Sequence, residues 1–126
     1  MQMRTAWLAA YFIAPALVYF TIGIGKDGMR PLDFDALRWL LPNYVWFSIP
    51  QFLWAVGTRI FKPSVPITHA GYLGATAALL SLHTWFECCV DNRNALGWLY
   101  FYPLACALMV ALAGLTFLWR RYAPNQ

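Results

Sequence analysis

Six polar side chains whose chemistry could be functional recur at helical spacing between residues 69 and 91. They are His69, Tyr72, Thr76, His83, Glu87 and Asp91. At about 100° per residue in an α-helix, the first five lie within about 60° of one another, and Asp91 extends the line. Imidazole, hydroxyl and carboxylate groups on one helical face can relay protons, line a path for a small polar solute, or bond to neighbouring helices.

The last part of this line offers the best grouping of metal-ligand residue types, but the pattern is incomplete. His83, Glu87 and Asp91 are four residues apart, and Cys88 and Cys89 adjoin them. Metal sites usually draw ligands from more than one element, and the sequence contains neither a CxxC nor an HExxH pattern. We therefore predict no metal site.

The same residues give little support to a haem site or to catalysis. His69 and His83 are separated by roughly 21 Å along one helix, so they cannot ligate one iron together. Ser81 is two residues from His83, which puts the two side chains on different helical faces. We predict no cofactor and assign no catalytic residue. An enzyme with its site around Glu87 stays as an alternative.

The sequence contains four long stretches without charged residues, and the helices that they form must position this polar face. They are Thr5–Gly25, Trp39–Thr58, Pro63–Phe86 and Asn94–Trp119. Each has about the 20 residues that a helix needs to cross a bilayer, where every backbone N–H and C=O must be bonded within its own segment. Apolar residues make up 61% of the chain and charged residues 11%, against about 45–50% and 25% in soluble domains.

The stretches predict an all-α integral membrane protein, folded as one antiparallel four-helix bundle over residues 1–126. The predicted spans are roughly residues 5–25, 39–60, 65–87 and 96–119. Loop 26–38 should either hold a short surface helix, Phe34–Leu41, that Pro42 ends, or be the extended start of the second span.

The charges fall unevenly on the two sides of such a bundle. One side carries Arg4, Arg59, Lys62, Arg120 and Arg121 and no acidic residue. The other side carries the remaining basic residues and all five acidic ones. The positive-inside rule then predicts a multi-pass protein of the bacterial inner membrane with both termini in the cytoplasm. The basic residues form no nucleic-acid-binding run, so we predict the lipid bilayer, and no nucleic acid, as a partner.

The third predicted span has a ridge of small residues. Ala70, Gly74 and Ala78 recur every four residues, with Gly71 and Ala75 alongside. A weaker version on the fourth span consists of Ala107, Ala111 and Gly114. Such ridges let two helix backbones approach closely. They can pack the helices of one chain together, or dock the chain onto a second copy or another membrane protein.

Polar residues of the second span could face the polar line of the third. The candidates are Asn43 and Gln51, and Pro15, Pro50 and Pro103 mark kinks within the spans. These residues predict either a narrow polar cavity or a set of hydrogen bonds between helices, each contributing about 0.6 kcal/mol.

The absence of a catalytic motif favours a non-catalytic role. We expect an inner-membrane accessory or binding protein that acts through helix–helix and periplasmic-loop contacts, such as an immunity or inhibitor protein or a subunit of a transport or envelope complex. The main alternative is an oligomeric channel or transporter for a small solute, with its path along the third span.

Overall fold

The protein is all-helical over the residues that its structure, a computed structural model, describes: 5–27, 34–89 and 99–123. The four helices are α1 (Thr5–Asp27), α2 (Phe34–Phe61), α3 (Val65–Cys89) and α4 (Phe101–Tyr122). A short 3₁₀ turn at residues 99–100 leads into α4. The all-α prediction is therefore confirmed for these ranges.

The second helix is longer than the predicted span. Of the two arrangements predicted for residues 34–41, the structure has the extended one, because α2 runs without interruption from Phe34 through Pro42 to Phe61. A proline removes one backbone donor but does not by itself end a helix. Just after the proline, the Asn43 side chain donates to the Trp39 carbonyl at 2.8 Å, which adds a side-chain bond to this turn of the helix.

A tight turn reverses the chain between α2 and α3. Lys62 adopts a left-handed backbone conformation with φ 46°, and its N–H donates to the Thr58 carbonyl at 3.0 Å. A left-handed residue followed by proline is a common helix ending, since Pro63 cannot continue the helix. The Ser64 carbonyl then accepts the Thr68 N–H at 3.0 Å and begins α3.

Contacts between helices give an antiparallel arrangement. The Tyr11 ring of α1 stacks on the Tyr72 ring of α3 near the start of both helices, so these two run in the same direction. The Arg120 guanidinium, near the end of α4, donates to the Ser64 hydroxyl at 3.3 Å, so α4 runs opposite to α3. We call the end that holds the 62–64 turn the basic end. Its exposed cationic side chains are Arg59, Lys62, Arg120 and Arg121.

The closest approach in the bundle is between α3 and α4. A Cβ atom built on Gly74 would lie 2.6 Å from the carbonyl carbon and oxygen of Leu108 and from the Met109 nitrogen. The neighbouring Ala75 and Ala78 side chains are completely buried. Further from the basic end, the core continues with Leu79, Phe101 and Ala105 among others. The absence of a side chain at Gly74 thus lets the two backbones touch.

Two helices are long and apolar enough to cross a membrane, judged on length and composition within the described residues. They are α3 over Val65–Trp85, with a mean hydropathy of 1.2, and α4 over Phe101–Tyr122, with a mean hydropathy of 2.0. The apolar part of α1, Ala6–Thr21, is shorter. Prolines, tryptophans and amides such as Asn43 and Gln51 reduce the mean hydropathy of α2.

We expect Gly74→Ala to lower the free energy of unfolding by about 1–3 kcal/mol, because the new methyl group must push the α4 backbone away. Reversible unfolding in mixed detergent micelles measures this change. Gly114→Ala is the matched control. A Cβ on Gly114 meets nothing within 4 Å, so stability there should stay equal or rise by up to about 1 kcal/mol. Equal effects at both sites would contradict the close approach.

Candidate functional site

A tyrosine–histidine pair joins the polar face of α3 to α1. The Tyr11 hydroxyl and the His69 Nδ1 atom are 3.1 Å apart, and the tautomer of the imidazole decides which group donates. The Trp7 ring meets His69 edge-on at a centroid distance of 5.7 Å. The pair is part-buried and enclosed by aromatic rings, so its hydrogen bond links two helices.

Tyr72, one turn after His69, contacts two aromatic residues of α1 and also lines a groove. Its ring stacks on Tyr11 at 5.1 Å and 11°, and meets the Phe12 ring edge-on at 6.1 Å. The groove has a volume of about 910 Å³ and opens between α1, α2 and α3. Thr58 and Arg59 also line it. Tyr72 is thus the one member of the predicted polar line among the residues that line this groove.

The next polar candidates bond to their own helices. The Thr76 hydroxyl donates to the Tyr72 carbonyl at 3.0 Å, and the Asn43 amide donates to the Trp39 carbonyl. Both bonds span one helical turn. His83 is half-buried further along α3. The Glu87 side chain and Asp91 lie outside the described residues, so the metal and enzyme hypotheses for that end stay untested.

Gln51 is the most unusual polar residue of the bundle. Its side chain is completely buried in α2, together with that of Ser48 one turn earlier. Within the described part of the chain, neither amide atom of Gln51 nor the Ser48 hydroxyl has a hydrogen-bond partner. A buried polar group without a partner costs about 1–3 kcal/mol, so this pair lowers the stability of the folded protein.

Pro50, which lies between these two residues, alters the backbone hydrogen bonding of α2. Because proline has no N–H, the Trp46 carbonyl one turn earlier loses its helical partner. The Tyr102 hydroxyl of α4 donates to that carbonyl at 3.2 Å, and the Trp46 and Tyr102 rings meet edge-on at 5.0 Å. A residue of α4 therefore compensates for a bond that α2 cannot make.

The two small-residue ridges have opposite environments. The ridge of α3, which we call the inner ridge, is buried within the chain at all five positions: Ala70, Gly71, Gly74, Ala75 and Ala78. Gly71 accommodates the Trp54 indole of α2, whose Nε1–H donates to the Thr68 carbonyl at 2.9 Å. The ridge of α4, the outer ridge, has Ala107 and Ala111 exposed and Gly114 half-buried with open space around it.

No group of three or more His, Cys, Asp or Glu residues that could hold a metal ion occurs within residues 5–27, 34–89 and 99–123. The comparisons with known proteins add no relative. No protein-family model, curated protein or solved structure matches this chain. The site must therefore be interpreted from its own geometry.

Sequence reasoning missed two features of this site. It did not select Ser48, although Ser48 and Gln51 are three residues apart and flank a proline within a span, which would have been a usable signal. It also did not connect Tyr102 to Pro50. A proline predicts an unsatisfied carbonyl one turn earlier, but only the packing of α4 determines which hydroxyl reaches it.

We expect Gln51→Met to raise the free energy of unfolding by about 1–3 kcal/mol, because an apolar side chain of similar length removes the unsatisfied amide. Unfolding in mixed micelles measures this change. Thr76→Val, which loses a satisfied bond, is the control and should cost about 0.6 kcal/mol. If Gln51→Met is destabilising instead, the amide has partners in the protein, such as bound water.

Proposed function

We propose that the protein is a four-span inner-membrane protein with both termini in the cytoplasm, acting without catalysis as an accessory or binding protein. Its partner is another membrane protein, of the kind that an immunity protein or a small subunit of a transport or envelope complex would hold. The outer ridge carries the proposal, because it presents small residues on an exposed face of α4, the more apolar of the two helices that are long enough to cross a membrane.

The interior supports a binding role over a polar path. His69, Thr76 and Asn43 are bonded to another helix or to their own backbone, as expected for groups that hold helices together. The inner ridge is used within the chain, so a partner cannot dock on it. What is left for a partner is the outside of the bundle.

The outer surface supports a membrane location. Large apolar side chains are exposed along α2 and α4, including Leu53, Val56, Val110 and Leu115. Charged side chains lie near the ends of the helices. In a bilayer, small residues on such a surface let a second helix approach closely, which gives van der Waals contact and short interhelical bonds.

The membrane topology is tested by accessibility of single cysteines. In a background in which Cys88, Cys89 and Cys106 are replaced by serine, Ser64→Cys should react with a membrane-impermeant maleimide in inside-out vesicles but not in intact cells. A protein that keeps Cys106 alone should react in neither, since this exposed residue lies in the second turn of α4, within the proposed fourth span, and would face lipid. Labelling of Ser64→Cys in intact cells, or release of the protein by alkaline carbonate, would contradict the topology.

Native mass spectrometry of the protein released gently from its own membrane tests the partner. We expect a heteromeric complex that Ala111→Leu abolishes, because the larger side chain holds the partner helix away from the outer ridge. Ala10→Leu, at an exposed alanine of α1, is the matched control and should leave the complex intact. A complex that survives Ala111→Leu would exclude the outer ridge as the docking face.

Gln51 and Ser48 favour a second candidate, an oligomeric channel or transporter for a small polar solute. Buried polar groups without partners in a membrane span are expensive and are often retained for function. This candidate predicts a clean homo-oligomer in the same spectrum, and impaired solute flux into proteoliposomes for Gln51→Met and for His83→Ala. Unchanged flux in both variants would exclude it.

A further inference from the structure

The basic end holds a second groove, between α4 and the α2–α3 turn, that the proposed function does not use. Its volume is about 790 Å³, within the range of about 300–1,000 Å³ that is usual for small-molecule sites. We call it the arginine groove. The residues that matter here are Trp54, Ile67, Val110, Phe117, Arg120 and Arg121.

The arginine groove combines an apolar floor with a cationic mouth. Trp54 and Ile67 line the α2–α3 side, and Val110 and Phe117 line the α4 side. Arg120 and Arg121 are the last basic residues of α4 and belong to the same lining. No acidic residue occurs in the sequence between 92 and 126, or between 36 and 86, so the neighbouring sequence offers these arginines no acidic side chain.

Among the described residues, Arg120 has one hydrogen bond, and its partner is uncharged. One of its nitrogens donates to the Ser64 hydroxyl at 3.3 Å. A guanidinium has five N–H donors in a planar fork, which matches the oxygens of a phosphate. The contact with Ser64 therefore orients the side chain while leaving most of its donors for a ligand.

We infer that the arginine groove binds one anionic phospholipid, with an acyl chain between α4 and the α2–α3 turn and the phosphate at Arg120 and Arg121. The inference rests on the membrane location proposed above. A lipid fits this groove better than a soluble phosphate does, because the floor of the groove is apolar. An anionic lipid fits better than a zwitterionic one, because the mouth of the groove carries two cations.

The neighbouring groove between α1, α2 and α3 provides an internal comparison. It also has two cationic residues, Arg59 and Lys62, but its lining includes the polar side chains of Thr58, Thr68 and Tyr72. The Thr58 and Thr68 hydroxyls donate to backbone carbonyls, but their oxygens and the Tyr72 hydroxyl make this lining more polar, and so less suited to an acyl chain, than that of the arginine groove. Similar charge with a different floor makes this groove the control for specific lipid binding.

The experiment titrates phosphatidylglycerol or phosphatidylcholine of equal chain length into the full-length protein in mild detergent, and counts bound lipids by native mass spectrometry. Wild type should retain one phosphatidylglycerol in preference to phosphatidylcholine. Arg120→Gln combined with Arg121→Gln should weaken phosphatidylglycerol binding about thirtyfold, the scale expected for two basic residues, and should leave phosphatidylcholine unchanged. Arg59→Gln combined with Lys62→Gln removes the same charge and should have little effect.

A second pair of variants tests the floor. Gly114 lines the groove, and a Cβ atom there meets nothing within 4 Å, so the side chain of Gly114→Leu should project into the groove and abolish retention of both lipids. Gly57 also has open space around its Cβ position but lines neither groove. Gly57→Leu should therefore retain lipid as wild type does, and so should Ala111→Leu on the outer ridge.

Two outcomes would overturn the inference. Equal weakening by the two charge-removing pairs would mean that the basic end attracts lipid diffusely, and equal binding of the two lipids by wild type would mean that the arginines select nothing. Neither outcome bears on the membrane location. A protein that carbonate releases from membranes fails the proposed function, whereas one that stays in the membrane without a lipid preference fails this inference alone.

Discussion

The contact of the α3 backbone with the α4 backbone at Gly74 is the constraint on which the rest of the bundle depends. Because α4 lies directly against this side of α3, the aromatic and polar side chains on other sides of α3 can meet α1 and α2. The same contact fixes the rotation of α4 about its axis. It puts Ala105, Met109 and Ala113 inside and leaves Ala107 and Ala111 outside. One glycine thus determines which face of α4 a partner could reach.

The prolines impose a second constraint, because each removes a backbone hydrogen-bond donor. At Pro50 the loss is offset by a hydroxyl from another helix, Tyr102. The turn at Pro63 uses its proline differently, to end α2 after a left-handed Lys62. Against this background Gln51 and Ser48 are exceptional. The bundle satisfies a carbonyl freed by Pro50, yet the two side chains that flank the same proline have no hydrogen-bond partner among the described residues.

The sequence predicts helix number and approximate position well, because long charge-free stretches have only one backbone solution that satisfies their hydrogen bonds in an apolar environment. It also predicts a turn close to the observed one at 62–64, since the second predicted span ends near residue 60 and the third begins near residue 65. It does not determine whether residues 34–41 form a separate helix. That depends on whether Pro42, which leaves the Arg38 carbonyl without its helical donor, is tolerated within a longer helix.

The burial of the candidate residues was harder to predict, and the two ridges show why. Both have small residues at helical spacing, so the local sequence predicts the same role in helix packing for both. Their environments differ because α3 contacts helices on several sides, while α4 is packed mainly against α3. Similar reasoning separates Gln51 from Asn43. Both are amides of α2, but within the described residues only the Asn43 side chain has a hydrogen-bond partner.

The exposed face of α4 is more accessible to a binding partner than the polar interior of the bundle is. Interior groups such as His69 and Thr76 already have partners, so using them for binding would require breaking bonds that hold the helices together. The outer ridge and the arginine groove need no such rearrangement. They lie side by side on α4 and share Gly114, so a helix docked on the ridge would border any lipid held in the groove. Lipid and partner would then contact the same helix on adjacent faces, and each could alter how tightly the other is held.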